Sequence, residues 1–94
     1  MKEPITESSG NVFADLGFDP GEAAILQMRA KLLNDLQTFV TSNDLTPIEA
    51  AEQLGIANSR ALDLIQGKWE KFSLETLIML EARIGRQVIL ELAA

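Results

Sequence analysis

A chain of 94 residues with 47% apolar side chains has material for one small core and one domain. With no Cys and no His it lacks disulfides, thiolate chemistry and the side chain most often used as metal ligand or general base near neutral pH. Eight basic against fourteen acidic residues leave a formal charge of −6, which works against binding a polyanion, where neutralised phosphates supply most of the affinity.

Residues 1–10 are polar and rich in turn formers, and read as a mobile tail. Met1-Lys2-Glu3-Pro4 lacks the apolar core of a signal peptide. No run approaches the roughly 18 apolar residues of a membrane span. A reducing cytoplasm fits this composition. The domain itself is expected over residues 11–94. Asn11 to Phe18 holds Val12, Phe13, Leu16 and Phe18, too apolar for a free arm. A turn or short extended piece packed on the domain is expected, serving either as a lid on the core or as a docking arm for a partner.

Asp19-Pro20-Gly21-Glu22 carries a helix start: Asp19 as N-cap, Pro20 at the first position and an acid in the first turn. Ile25, Leu26, Leu32, Leu33, Leu36, Phe39 and Val40 then recur with helical period, broken at Arg29. A long helix over about 20–42 is expected, with Arg29 and Lys31 solvated. Ser42-Asn43-Asp44 ends it, and Leu45 anchors the next segment in the core.

Thr46-Pro47-Ile48-Glu49 repeats the start signal, now as a capping box. Ile48, Ala51 and Leu54 fall at steps of three, and Gly55 follows at once, suited to the left-handed conformation that ends a helix. Ile56 is the expected buried hinge. A second helix reads from about Asn58 to Gln66, with Ala61, Leu64 and Ile65 apolar, and Gly67 stops it. Two helices joined by a short Gly-containing turn, here over about 46–67, form the helix-turn-helix plan. A further helix starts after Ser73 and runs through Leu77, Ile78, Leu80, Glu81 and Ile84 to Gly85.

The last stretch changes period. Residues 87–93 are partly β-branched and follow a Gly, and read as a short strand with Val88, Leu90 and Leu92 on one face. A lone strand cannot satisfy its own backbone groups. Its partner is the same strand of a second copy across a two-fold axis, the Asn11–Phe13 piece of its own chain, or another protein's sheet edge; pairing in a homodimer is the most economical. The fold class is therefore all-α, a bundle of four to five helices with a short C-terminal strand.

With Gly67-Lys68-Trp69-Glu70-Lys71-Phe72-Ser73-Leu74-Glu75, Asn11–Phe18 and the Ala51…Leu54-Gly55-Ile56…Leu64 framework in view, the chain resembles the lambda-repressor-like (Xre) helix-turn-helix proteins, and among them the small HigA-type antitoxin regulators. The likeness covers about Asn11 to the end. It implies a transcriptional regulator that represses its own promoter, a double-stranded operator with inverted repeats, and a toxin protein as a further partner.

In a helix-turn-helix the first residues of the second helix face base edges, and the first helix crosses the backbone. Asn58, Ser59 and Arg60 open that helix, with Leu62 and Asp63 one turn on. Asn bonds adenine and Arg bonds guanine bidentately, so Asn58 and Arg60 lead as base readers. Asn58 could equally be a cap. Arg60 could instead hold a phosphate or pair with Glu52 or Asp63. Thr46 at the first helix start, then Gln66, Lys68, Lys71 and the Ser73 amide, are placed to follow the phosphate backbone; Lys68 and Lys71 could also be plain solubilising charges. Trp69 reads as a core plug rather than a stacking platform.

Four residues depart from the resembled pattern. Pro47 stands where Gln is common, Ala57 leaves the second helix without a side-chain cap, typically worth about 1 kcal/mol, Leu62 replaces a polar residue, and Asp63 puts an acid where bases can lie. The alternative is a protein-interaction module that keeps the fold and uses its acidic surface and apolar arm. Catalysis has no support: there is no Gly-rich phosphate loop and no acidic cluster at metal spacing, and Glu49, Glu52, Glu70 and Glu75 read as solvated or capping acids. No cofactor or metal is expected.

Overall fold

A computed structural model describes residues 12–92; the expected tail at 1–10 and the last residue of the expected strand lie outside them. The elements are α1 (Val12–Asp15), α2 (Pro20–Ser42), α3 (Pro47–Leu54), α4 (Asn58–Ile65), a 3₁₀ turn (Trp69–Lys71) and α5 (Leu74–Arg83).

Each main helix starts where a side chain can occupy the unpaired amides of its first turn. Asp19 accepts from the amides of Gly21 and Glu22 at 3.0 and 3.4 Å. Thr46 and Glu49 close a full capping box: the Glu49 amide donates to Thr46 Oγ1 at 3.1 Å, and the Thr46 amide to Glu49 Oε1 at 2.9 Å. Ser73 Oγ accepts from the Thr76 amide at 3.1 Å. α4 is the exception, since Ala57 provides no side-chain cap.

One core holds the bundle. Leu33, Leu36 and Val40 of α2, Ala50, Ala51 and Leu54 of α3, Ala61 and Leu64 of α4, and Phe72, Leu77 and Leu80 around α5 are all buried together. α2 packs against α1, α4, the 3₁₀ turn and α5, while α3 packs on α4. Leu45, Ile56 and Trp69 press on the core from its edge as half-buried residues. The Trp69 ring meets Phe13 edge-on at 6.0 Å, and Phe13 meets Phe18 likewise at 6.0 Å.

Four expectations need correction. Of the 11–18 stretch, Val12–Asp15 forms a short helix, α1, rather than an extended piece, while Asn11 lies outside the described residues; Phe13 packs edge-on against Trp69. Ile48 is 59% exposed and Ala50 takes its place in the core. At about 100° per residue the buried arc runs through Ala50, Ala51 and Leu54, and Ile48 falls roughly 110° from its centre. Arg29 is only partly solvated: the residue is half-buried and its Nε is buried, with no hydrogen-bond partner among the described residues, beside Phe18, Glu22 and Trp69. Finally, residues 86–92 form no strand. A strand exists by its ladder, and the described residues offer no second edge.

Candidate nucleic-acid interface

The corner between α3 and α4 sets the direction of everything α4 presents. Gly55 adopts φ 70°, ψ 36°, and its amide donates back to Ala51 O. The left-handed turn lets the chain leave α3 without a clash that a Cβ would bring. The Ile56 amide also returns to Ala51 O at 3.0 Å. Two side chains from elsewhere brace this unit. Arg83 Nη1 of α5 donates to the Leu54 and Gly55 carbonyls at 2.8 and 3.0 Å. Gln37 Nε2 of α2 donates to the Leu64 and Ile65 carbonyls at 2.9 and 3.3 Å. The last carbonyls of both helices, unpaired by helix geometry, are thus held by donors fixed in the core scaffold.

Behind α4, Ala61 and Leu64 are fully buried. In front, Asn58, Ser59, Arg60 and Gln66 are exposed, Leu62 is 43% exposed, and Asp63 is half-buried. The structure therefore brings Asn58, Ser59, Leu62 and Gln66 onto one outward face, with Arg60 at its edge. Ile65, expected in the core, is 37% exposed at the edge of that face.

The charges around α4 are not independent. Arg60 Nη2 donates to the Lys71 carbonyl at 3.0 Å, and its guanidinium lies 4.9 Å from the centre of the buried Phe72 ring, a cation–π distance. Its partner is thus neither Glu52 nor Asp63. This posture sets Arg60 against the 3₁₀ turn and puts it beside Lys71. Asp63 takes Lys68 instead, Oδ1 to Nζ at 3.8 Å. Of the basic residues expected here, Arg60 is bonded to the Lys71 backbone, neither Arg60 nor Lys71 forms an ion pair among the described residues, and Lys68 is partly neutralised.

The Thr46 helix start is already engaged, and at Ser73 the hydroxyl is. The Thr46 amide is bound to Glu49, and the Thr46 hydroxyl accepts from the Glu49 amide, leaving only its own proton to donate. Ser73 Oγ accepts from Thr76 and shares a further hydrogen bond of 2.8 Å with Thr76 Oγ1. Among the described residues no group of three or more His, Cys, Asp or Glu is placed to hold a metal ion, and no helix is long and apolar enough to cross a membrane.

Sequence reading missed a polar cluster on the other side of the bundle. Glu81 of α5 is 2% exposed, and neither of its carboxyl oxygens accepts a hydrogen bond. Beside it stands Asp35 of α2, which pairs with Arg86. Burial first, then the Asp35 carboxyl through a hydrogen bond and its charge, push the Glu81 carboxyl up to about 7, with Arg86 working in the opposite direction. Protonated, Glu81 donates to Asp35, whose own carboxyl is held below its ordinary value chiefly by that bond and also by Arg86.

No curated protein matches the chain. A family model for the helix-turn-helix domain matches residues 12–92, which takes in every helix described above and the segment after α5. The chain belongs to this family of helix-turn-helix domains.

Proposed function

We propose that this protein is a sequence-specific DNA-binding regulator, a binding protein rather than an enzyme, acting in the cytoplasm. The observation that carries the reading is α4: its outward face presents Asn58, Ser59 and Arg60 at the amino-terminal end, while Ala61 and Leu64 hold its back to the core. In this role α4 enters the major groove. Asn58 and Ser59 meet base edges, and Leu62 lies against a thymine methyl. Arg60 and Lys71 meet a guanine or the adjoining phosphates. Gln66, Lys68, Thr46 and Ser73 flank the backbone.

One copy reads one half-site. Two copies reading an inverted repeat place their α4 helices roughly 34 Å apart in successive major grooves, and doubling the contacts offsets the charge of −6. The resemblance to HigA-type regulators extends the proposal to repression of the protein's own promoter and to neutralising a toxin.

A gel-shift titration on DNA from upstream of the protein's own gene, at two salt concentrations, tests the reading. Arg60→Ala is expected to weaken the specific complex by about 5- to 150-fold, the equivalent of 1–3 kcal/mol for one good base contact. Lys71→Ala is expected to weaken specific and non-specific complexes alike and to lessen the salt dependence. No shift with any upstream fragment, even with a partner protein present, would overturn DNA binding.

A second reading has one observation in its favour: Asp63 draws off Lys68, and Leu62 and Ile65 put apolar surface on the same face. A module of this kind binds a protein through that face and DNA poorly. Tight protein binding abolished by Leu62→Asp, with no DNA shift, would select it.

A further inference from the structure

The residue that interrupts the apolar stripe of α2 does so beside a cleft. Ile25 and Leu26 are followed on the next turn by Arg29, and the stripe resumes with Leu32 and Leu33. Arg29 is half-buried, and its Nε–H is sealed from solvent with no acceptor among the described residues. A buried donor without an acceptor is a standing cost to the fold, and packing alone gives no reason for it.

Glu22, Ile25, Leu26 and Arg29 share one face of α2. With Phe18 before the helix and Trp69 of the 3₁₀ turn they line a cleft of about 320 Å³. That volume is at the lower end of small-molecule sites, about 300–1,000 Å³. The composition is also of that kind: two aromatic rings, two aliphatic side chains, and polar groups on two residues only, Arg29 and Glu22. Those two differ in depth, since Glu22 is exposed while Arg29 Nε is buried.

We propose that this cleft binds a small aromatic carboxylate, its ring against Phe18 and Trp69 and its carboxylate accepting from Arg29 Nε–H. The idle N–H calls for an acceptor, and the guanidinium's charge favours an anion over a neutral carbonyl. A carboxylate also matches the fork of a guanidinium, taking two parallel N–H···O bonds. Phe18 and Trp69 suit a flat ring, stacked or edge-on. The exposed Glu22 repels a second negative charge, so a monoanion is preferred to a phosphate or a dicarboxylate.

Occupancy has a path to α4. Trp69 opens the 3₁₀ turn whose Lys71 carbonyl holds Arg60 at 3.0 Å, so a ligand that shifts the Trp69 ring shifts the support of Arg60. This second step rests on the DNA-binding reading; the binding itself does not.

The chain has one tryptophan, and it lines the cleft, so its emission reports the site. Titration with 3-phenylpropionate is expected to change that emission saturably, with a Kd of about 1 mM or lower for so small a ligand. 3-Phenylpropan-1-ol keeps the ring without the anion and is expected to bind at least about tenfold more weakly. Arg29→Met should weaken binding of the acid about 10- to 100-fold. Glu22→Gln, at an exposed position, should tighten it about twofold to fivefold. No saturable change at up to about 10 mM overturns the proposal, as does equal binding of acid and alcohol, or an affinity indifferent to both substitutions. Gel shifts with and without saturating 3-phenylpropionate test the second step: a change in DNA affinity of about fivefold or more is expected, and an unchanged affinity removes that step. If the unaltered protein shifts no DNA at all, the DNA-binding reading fails and the fluorescence titration still decides the cleft.

Discussion

At pH 8, Glu81→Gln melts above the unaltered protein by roughly 10 °C or more, and the advantage vanishes near pH 5. The reason is proton linkage. Glu81 has an ordinary value of 4.5 and is raised to about 7 in the fold. Between those values the folded chain holds a proton that the unfolded chain releases. The stability carried by this group is therefore complete below about 4.5 and is lost as pH rises through 7. The rise from 4.5 to about 7 corresponds to about 3 kcal/mol, several degrees per kcal/mol in a domain this small. Asp35, held low, acts in the opposite sense and only at lower pH: its contribution is present above its ordinary value of 3.8 and fades as pH falls through its lowered one. Glutamine keeps the volume of Glu81 and can donate to Asp35 as the protonated acid does, but it carries no charge at any pH. Calorimetric scans at intervals from pH 5 to pH 8.5 read the effect. Parallel pH profiles for the two proteins would refute the coupling of this carboxyl to folding.

Gly55→Ala is expected to cost about 3 kcal/mol, a large share of the total for a chain of this length. Two effects combine. Gly55 sits at φ 70°, where a Cβ is disfavoured by about 1–2 kcal/mol. The added Cβ would also lie 2.8 Å from Arg83 Nη1, too close for that atom to remain on the Leu54 and Gly55 carbonyls. Losing charged donors from helix-end carbonyls costs about 1.5–3 kcal/mol. Arg83→Ala alone reproduces the second effect without the first. Urea titrations of both single variants and the double variant separate the two. The double variant should be less destabilised than the sum by about 1–2 kcal/mol, because alanine at 55 has already displaced the arginine. Simple additivity would show that the arginine stays bound and that backbone strain carries the whole effect.

Most helix boundaries were legible because local chemistry writes them. Asp19-Pro20, Thr46-Pro47 with Glu49, Gly55 and Ser73 each solve the unpaired-amide or reversal problem within a few residues, and the helices begin and end at them. The outward face of α4 was legible for the same kind of reason, since Ala61 and Leu64 fix its back. What escaped depends on residues far apart. Glu81 lies among Leu77, Leu80 and Ile84 in the register of the buried stripe, which is a signal, but Asp35 and Arg86 are separated by 51 positions and nothing local joins them. Arg60's bond to the Lys71 carbonyl required knowing that Phe72 would be buried beneath it. Ile48 was misplaced because steps of three fit more than one arc around a short helix. The strand at 87–93 was read from alternation, yet a ladder depends on a second edge that the described residues do not contain.

α2 spans 23 residues and touches α1, α4, the 3₁₀ turn and α5; from it Gln37 holds the end of α4, and Asp35 holds Arg86. The corner that aims α4 and the strap that follows α5 are thus fastened to one rod, and the bundle has no seam along which half could melt while the other half stayed intact. Deuterium uptake by the amides of Leu33 to Val40 then proceeds only through complete opening of the molecule, so any substitution that weakens either fastening speeds exchange along the same central stretch of this helix.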